Sequence, residues 1–202
     1  MLFRSTVGGD FTTNNNGTEI RAISDLTNAQ GALVTTIPAT STGQAGYTAT
    51  LAMTPDRSKF FVIRDVDTRL LIFDVATGNW TEGPQLPSTT ARYVRMAITS
   101  NSVGYVMDGD GKFYSFATTS PYSVSAAQTL TKLPASAPAL GSSGDFFADN
   151  RGNLFLLSST GTDGFLDFWE VEPSTLNLVF LGRISRSEEH TSELQSRFGI
   201  SY

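Results

Sequence analysis

One pattern recurs three times along this chain: an apolar run, a short polar turn, then a second apolar run. The first copy reads Ala52-Met53-Thr54-Pro55-Asp56-Arg57-Ser58-Lys59-Phe60-Phe61-Val62. The second reads Ala97-Ile98-Thr99-Ser100-Asn101-Ser102-Val103-Gly104-Tyr105-Val106-Met107, and the third Phe146-Phe147-Ala148-Asp149-Asn150-Arg151-Gly152-Asn153-Leu154-Phe155-Leu156. Aligned on Phe61, Val106 and Phe155, the copies lie 45 and 49 residues apart. A unit of that length is one supersecondary element that cannot bury its apolar surface alone, so the copies must stack on one another.

The apolar runs are short, rich in aromatic and β-branched residues, and bounded by Gly, Pro, Asn and Asp, which predicts strands. In the first copy, strands are expected over 47–53, 59–64, 69–75 and from Trp80, with a tight hairpin at Thr77-Gly78-Asn79. The second copy gives 93–99, 103–107, 112–117 and a longer Ser/Thr-rich fourth segment reaching Leu133-Pro134. The third gives 145–148, 153–158, 165–171 and 178–182, and residues 19–23 and 32–37 read as the last two strands of a preceding unit. Four strands at this period make one β-propeller blade. The expected fold class is therefore all-β, a partial β-propeller of about three and a half four-stranded blades, with boundaries at 1–41 (partial), 42–88, 89–136 and 137–185. Propellers close with about four to eight blades, because closure removes exposed sheet edges. The arc is thus expected to be completed by further blades of the same chain.

Composition narrows the function classes. A net charge of −5 argues against a basic nucleic-acid-binding surface, and no apolar stretch is long enough for a membrane-spanning helix. The chain has no cysteine, which removes disulfides, thiolate metal sites and cysteine nucleophiles. Residues 1–6 are too short and too weakly apolar for a signal peptide. The segment 186–196 breaks the β-rich pattern with charged, helix-favouring residues, and along its whole length it resembles the conceptual translation of a sequencing adapter. Residues 186–202 are therefore expected to be non-native. The only histidine, His190, lies in that tail, so the rest of the chain offers no histidine base for nucleophilic catalysis.

The stretch from Phe73 to Pro87 resembles the second half of a kelch repeat. Phe73 precedes Trp80 with six residues between them, Gly83-Pro84 and Leu86-Pro87 follow, and then comes Arg92. The resemblance implies that the aromatic pair packs between neighbouring blades. The kelch Gly-Gly pair is replaced by Asp65-Val66 and Gly109-Asp110, Gly8-Gly9 is the one surviving pair, and Trp169 sits inside a strand. The third copy is similar to repeats of bacterial exported proteins, through Asp149-Asn150-Arg151-Gly152-Asn153-Leu154-Phe155 and then Glu172-Pro173-Ser174-Thr175. That likeness implies an extracellular or cell-surface location on a bacterium.

Candidate site residues are few. Asp108 and Asp110 stand two apart in Asp108-Gly109-Asp110-Gly111, a spacing that suits Ca²⁺, although Lys112 and Thr119 depart from an EF-hand; the same residues also suit a hairpin turn. Arg92 and Arg95 flank an expected inner strand, from which side chains can reach a central channel and an acidic ligand; the same residues also suit stacking on aromatic rings or pairing with the acidic loops. Asp145 and Asp149, with Asn150, are candidates for sugar hydroxyls or a cation, although Asp149-Asn150-Arg151-Gly152 also reads as a turn. No catalytic residue and no cofactor stand out, calcium being the one cofactor considered. The expected role is a non-catalytic binding or scaffolding module, with protein or carbohydrate as ligand. The alternatives are part of a polysaccharide-active enzyme with its catalytic groups on other blades, and a structural spacer of a surface adhesin.

Overall fold

The computed structural model describes residues 11–13, 17–22, 31–87, 91–159 and 164–185, which contain strand and turn but no helix. Gly8-Gly9 and the tail 186–202, with its adapter-like sequence and His190, lie outside the described residues. Sheet I holds β1 (Phe11–Thr13), β2 (Glu19–Ala22) and β3 (Leu33–Thr36), one strand more than the two expected. Sheet II is the antiparallel meander β4 (Leu51–Met53), β5 (Lys59–Arg64), β6 (Arg69–Asp74) and β7 (Asn79–Gln85). Sheet III runs β8 (Tyr93–Ile98), β9 (Val103–Asp108), β10 (Lys112–Ala117) and β11 (Gln128–Thr129). Sheet IV contains β13 (Ser143–Ala148), β14 (Leu154–Ser159), β15 (Phe165–Glu172) and β16 (Asn177–Ser185).

The fourth strand of sheet III departs from expectation. After β10, Tyr122 and Val124 pack against the core between sheets II and III, but the Ser/Thr/Ala-rich stretch pairs with β10 only through an isolated bridge at Val124 and the two-residue β11. Leu130 then packs into the core between sheets III and IV. Beyond it, β12 (Thr131–Leu133) leaves for sheet IV and pairs with β16 in parallel, through Thr131↔Asn177 and Leu133↔Val179. The result is a stitch between two sheets at their outer edges.

Alternation along each strand supplies two faces, and both are used. In β5, Phe60 and Val62 join the core shared with sheet I, whereas Phe61 and Ile63 join the core shared with sheet III. In β6, Leu71 and Phe73 face sheet I while Leu70 and Ile72 face sheet III. A strand buried on both faces reads as a continuous apolar run, which is why Phe60-Phe61-Val62-Ile63 shows no polar alternation. Sheet III is divided likewise, with Val106, Tyr114 and Phe116 towards sheet II and Met107 and Phe113 towards sheet IV. Full burial of each such side chain contributes about 1.5–3 kcal/mol, so the three inter-sheet cores hold the arc together. Gly104 has a steric role here: the Phe116 ring stands 2.1 Å from where its Cβ would be, so only glycine lets that ring reach Phe61.

These pairings also correct the repeat register. Phe61 lies opposite Ala52, Tyr105 opposite Ala97 and Phe155 opposite Phe147. Phe61 and Tyr105 both lie on the side that meets the following sheet. Tyr105 is therefore the counterpart of Phe61, and Val106 faces the preceding sheet. The offset arises because the β4–β5 turn is one residue longer than the other two: Thr54 N–H bonds Lys59 O, against Thr99 to Val103 and Asp149 to Asn153. Each turn places its fourth residue in the left-handed region, at Arg57 (φ 59°), Ser102 (φ 62°) and Gly152 (φ 91°). Only the third copy has the residue type suited to that conformation. Ser102→Gly is expected to raise stability by up to about 1 kcal/mol in urea melts, the relief of the left-handed strain exceeding the added flexibility of the unfolded chain.

Candidate functional site

The sheet orders place β4, β8 and β13 at one edge of their sheets, and β8 packs against both of the others. These three first strands and the turns that follow them line a cleft of about 260 Å³. Its walls are apolar at Met53, Met96, Ile98 and Phe147, and acidic at Asp145 and Asp149, with Asn150 at the turn. The arrangement follows from the repeat: equivalent strands of successive sheets converge, so residues some 45 to 50 positions apart share one concavity.

Asp145 is the most perturbed group there. Burial pushes its carboxyl up to about 8, against opposing hydrogen bonds from the Phe146 and Met96 amides and the charge of Arg95. The folded state then holds a proton that the unfolded chain releases near 3.8. Stability is therefore expected to fall as pH rises from about 4 to about 8 and to level off above that. Asp145→Asn should flatten this slope, leaving the smaller contributions of buried Asp108 and Asp65, and leave the chain more stable than its parent at high pH, as measured by urea melts across the range.

Asp149 uses its carboxylate locally. One oxygen accepts the Arg151 and Asn153 amides at 2.9 and 2.8 Å, and the other accepts Asn153 Nδ2 at 2.7 Å, fixing the turn that closes the cleft. Asp108 Oδ1 does the same for the β9–β10 hairpin, accepting the Asp110 and Lys112 amides at 3.0 and 2.8 Å. Its Oδ2 is buried without a hydrogen-bond partner, and burial raises its pKa. Among the described residues, no group of three or more His, Cys, Asp or Glu is gathered as a metal-binding set.

The two arginines sit at links between sheets. Arg92 lies in the linker from sheet II to sheet III, where Nε donates to Asp65 Oδ2 at 2.6 Å and the guanidinium stands 5.3 Å from the centre of the Tyr47 ring. Arg95 is fully buried. Its Nη1 donates to Asp108 O at 3.1 Å, and its Nη2 donates to Gly141 O and to Ser143 O, the latter at 3.2 Å, at the entry to sheet IV. Burial lowers its pKa to about 10, with Asp145 and Asp108 acting in the other direction. Asp145 and Arg95 are thus near one another, Asp149 shares the cleft with Asp145, and Arg92 lies elsewhere.

Sequence reasoning missed Arg64, which does for the linker from sheet I what Arg95 does for the next but one. It is buried, donates to Pro38 O and Ala39 O at 3.3 and 3.0 Å, and pairs with Asp67 and Glu82 at 2.6 and 2.8 Å. The available signal was a lone charge ending an otherwise apolar run, Phe60-Phe61-Val62-Ile63-Arg64.

The chain matches no protein-family model and no curated protein. Solved structures do match it in shape. A Bacteroides thetaiotaomicron protein of unknown function is 18% identical with a TM-score of 0.58, covering 83% of this chain and 40% of its own. Virginiamycin B lyase from Staphylococcus aureus is 13% identical with a TM-score of 0.55, covering 86% and 52%. The WD40 repeats of RRP9 are 11% identical with a TM-score of 0.54, covering 89% and 49%. The chain spans about half the length, or less, of each. At these identities the likeness is one of fold, and together with the stacked four-stranded meanders it makes the chain an arc of a β-propeller.

Proposed function

We propose that this chain is part of a kelch-like, non-catalytic binding propeller that acts outside a bacterial cell, its ring completed by further blades. The observation that carries this reading is the cleft between β4, β8 and β13, where apolar walls meet the carboxyl of Asp145 and the exposed turn at Asn150. Concave sites of this kind, mostly apolar with a few convergent polar groups, are where small ligands bind. Their chemistry suits a sugar or a short peptide segment, with polar groups for hydroxyls or amides and Met53, Met96 and Phe147 for the apolar faces. The kelch likeness is supported by Trp80, which contacts Phe73 with ring centres 5.1 Å apart and donates from Nε1 to Thr35 Oγ1 of the preceding sheet at 2.9 Å. The repeats similar to those of exported bacterial proteins support the extracellular location.

Glycan and peptide arrays test the reading. Binding is expected without turnover, and Asn150→Ala should weaken it by about tenfold, the loss of roughly one hydrogen bond. Binding unaffected by Asn150→Ala and Asp145→Asn would place the ligand elsewhere. Turnover of a polysaccharide, abolished by Asp145→Asn, would replace the binding reading with the enzymatic one.

A further inference from the structure

The lining of the cleft is one-sided in charge. Asp145 and Asp149 belong to it, and among the described residues no Lys, Arg or His side chain does. The positive residues of the bounding turns, Arg57 and Arg151, are exposed and lie outside the lining. The two carboxyl groups are not equivalent. Both oxygens of Asp149 serve its own turn, whereas Asp145 Oδ1 accepts the Phe146 amide at 2.8 Å from within its own strand. Arg95, the cation behind Asp145, spends its Nη groups on the carbonyls of Asp108, Gly141 and Ser143, and acts on Asp145 through its field. Beside the carboxyls stand Met53, Met96 and Phe147. An aliphatic stem that ends in a charge buries its methylenes on apolar surface of this kind and leaves its head at the polar rim.

We propose that the cleft takes a lysine side chain of a peptide segment, its ammonium seated against the Asp145 carboxyl and its stem on Met53, Met96 and Phe147. This rests on the ligand reading of the cleft and narrows that reading to one class of ligand. Charge complementarity selects a cation, because an anionic ligand would meet Asp149 with no positive lining residue to offset it. A proton linkage follows. Burial disfavours the Asp145 charge, so the empty cleft holds a proton there up to a pH of about 8. The charges that bear on this carboxyl are Arg95 from β8 and Asp149 from the following turn; Asp108 acts on Arg95 in turn, and β14 places apolar Leu157 opposite. An ammonium beside the carboxyl favours its charged form. Binding at lower pH therefore expels the proton, and affinity climbs by up to about tenfold per pH unit before levelling near 8. The ligand keeps its own charge throughout, since a lysine ammonium titrates at about 10.4.

Titration of the full chain with Nα-acetyl-lysine amide and with its uncharged counterpart, Nα-acetyl-norleucine amide, tests it, the methyl resonances of Met53 and Met96 locating the site. At about pH 8 the lysine amide is expected to bind at least about tenfold more tightly, as for a charge-assisted contact, and the gap should close towards about pH 6. Asp145→Asn should erase both the preference and its pH dependence. Ser100→Lys, at an exposed lining position, should weaken the lysine amide and spare the norleucine amide. Each variant is compared with its parent by far-ultraviolet circular dichroism. Equal affinity for the two amides, a preference that does not change with pH, or one that survives Asp145→Asn in a folded chain would each overturn the lysine assignment. So would methyl resonances that neither amide moves. Glycans or neutral peptides that still shift the Met53 and Met96 methyls would then leave the cleft as a ligand site, whereas no ligand moving them would remove both readings.

Discussion

Trp169→Ala is expected to lower stability by about 3–5 kcal/mol, the range for removing a large aromatic side chain from a packed core. Trp169 is fully buried, sits edge-on to Phe180 with ring centres 4.9 Å apart, and donates its indole N–H to Ser158 Oγ at 3.1 Å. Its loss opens a cavity in the core that joins sheets III and IV and strips the buried Ser158 hydroxyl of its partner. Urea melts followed by circular dichroism should show the shift with the cooperativity of the parent. Trp80→Ala is expected to cost less, because Trp80 is only half-buried. A loss of under 1 kcal/mol for Trp169→Ala would mean that sheets III and IV do not share this core.

Arg95→Ala is expected to have an effect of similar size, for a different reason. The guanidinium satisfies the carbonyls of Asp108, Gly141 and Ser143 at the point where the chain enters sheet IV. Each buried acceptor left without a donor costs about 1–3 kcal/mol, and water relieves part of that, so a net loss of about 3–5 kcal/mol is expected. Arg95→Lys should recover little, because a single ammonium lacks the planar fork that reaches carbonyls on two sheets. If Arg95 instead served mainly to meet an acidic ligand, Arg95→Ala would reduce binding while leaving the urea midpoint unchanged.

Much of the fold was legible in the sequence because its determinants are local. The turns at Thr99-Ser100-Asn101-Ser102 and Asp149-Asn150-Arg151-Gly152 carry their own hydrogen-bond chemistry, and the runs between them are long enough to declare strands. The register of the second copy was harder, because a one-residue difference in a turn moves every following side chain to the other face, and Tyr105 and Val106 are both apolar enough to serve. The crossing of β12 to sheet IV was not legible at all: Thr131-Lys132-Leu133 has no pattern of its own, and its parallel partner β16 lies more than forty residues on. The candidate site divides the same way. Asp149 and Asp108 read as turn residues and behave as such. The nearness of Asp145 to Arg95 and Met96 depends on sheets III and IV packing face to face. The role of Arg64 depends on where the Pro38-Ala39 linker passes, which no local pattern encodes.

Stacking of successive sheets is what creates the cleft, and nuclear Overhauser contacts between side chains of different sheets test it most directly. Phe61 of sheet II lies 5.4 Å from Phe116 and 6.0 Å from Tyr122 of the sheet III chain segment, and the Trp80 indole N–H lies against Thr35 of sheet I. Stacked blades require cross-peaks between the Phe61 ring and both of those rings, and between the Trp80 indole proton and Thr35. Strong contacts within each meander without these three would contradict the arrangement.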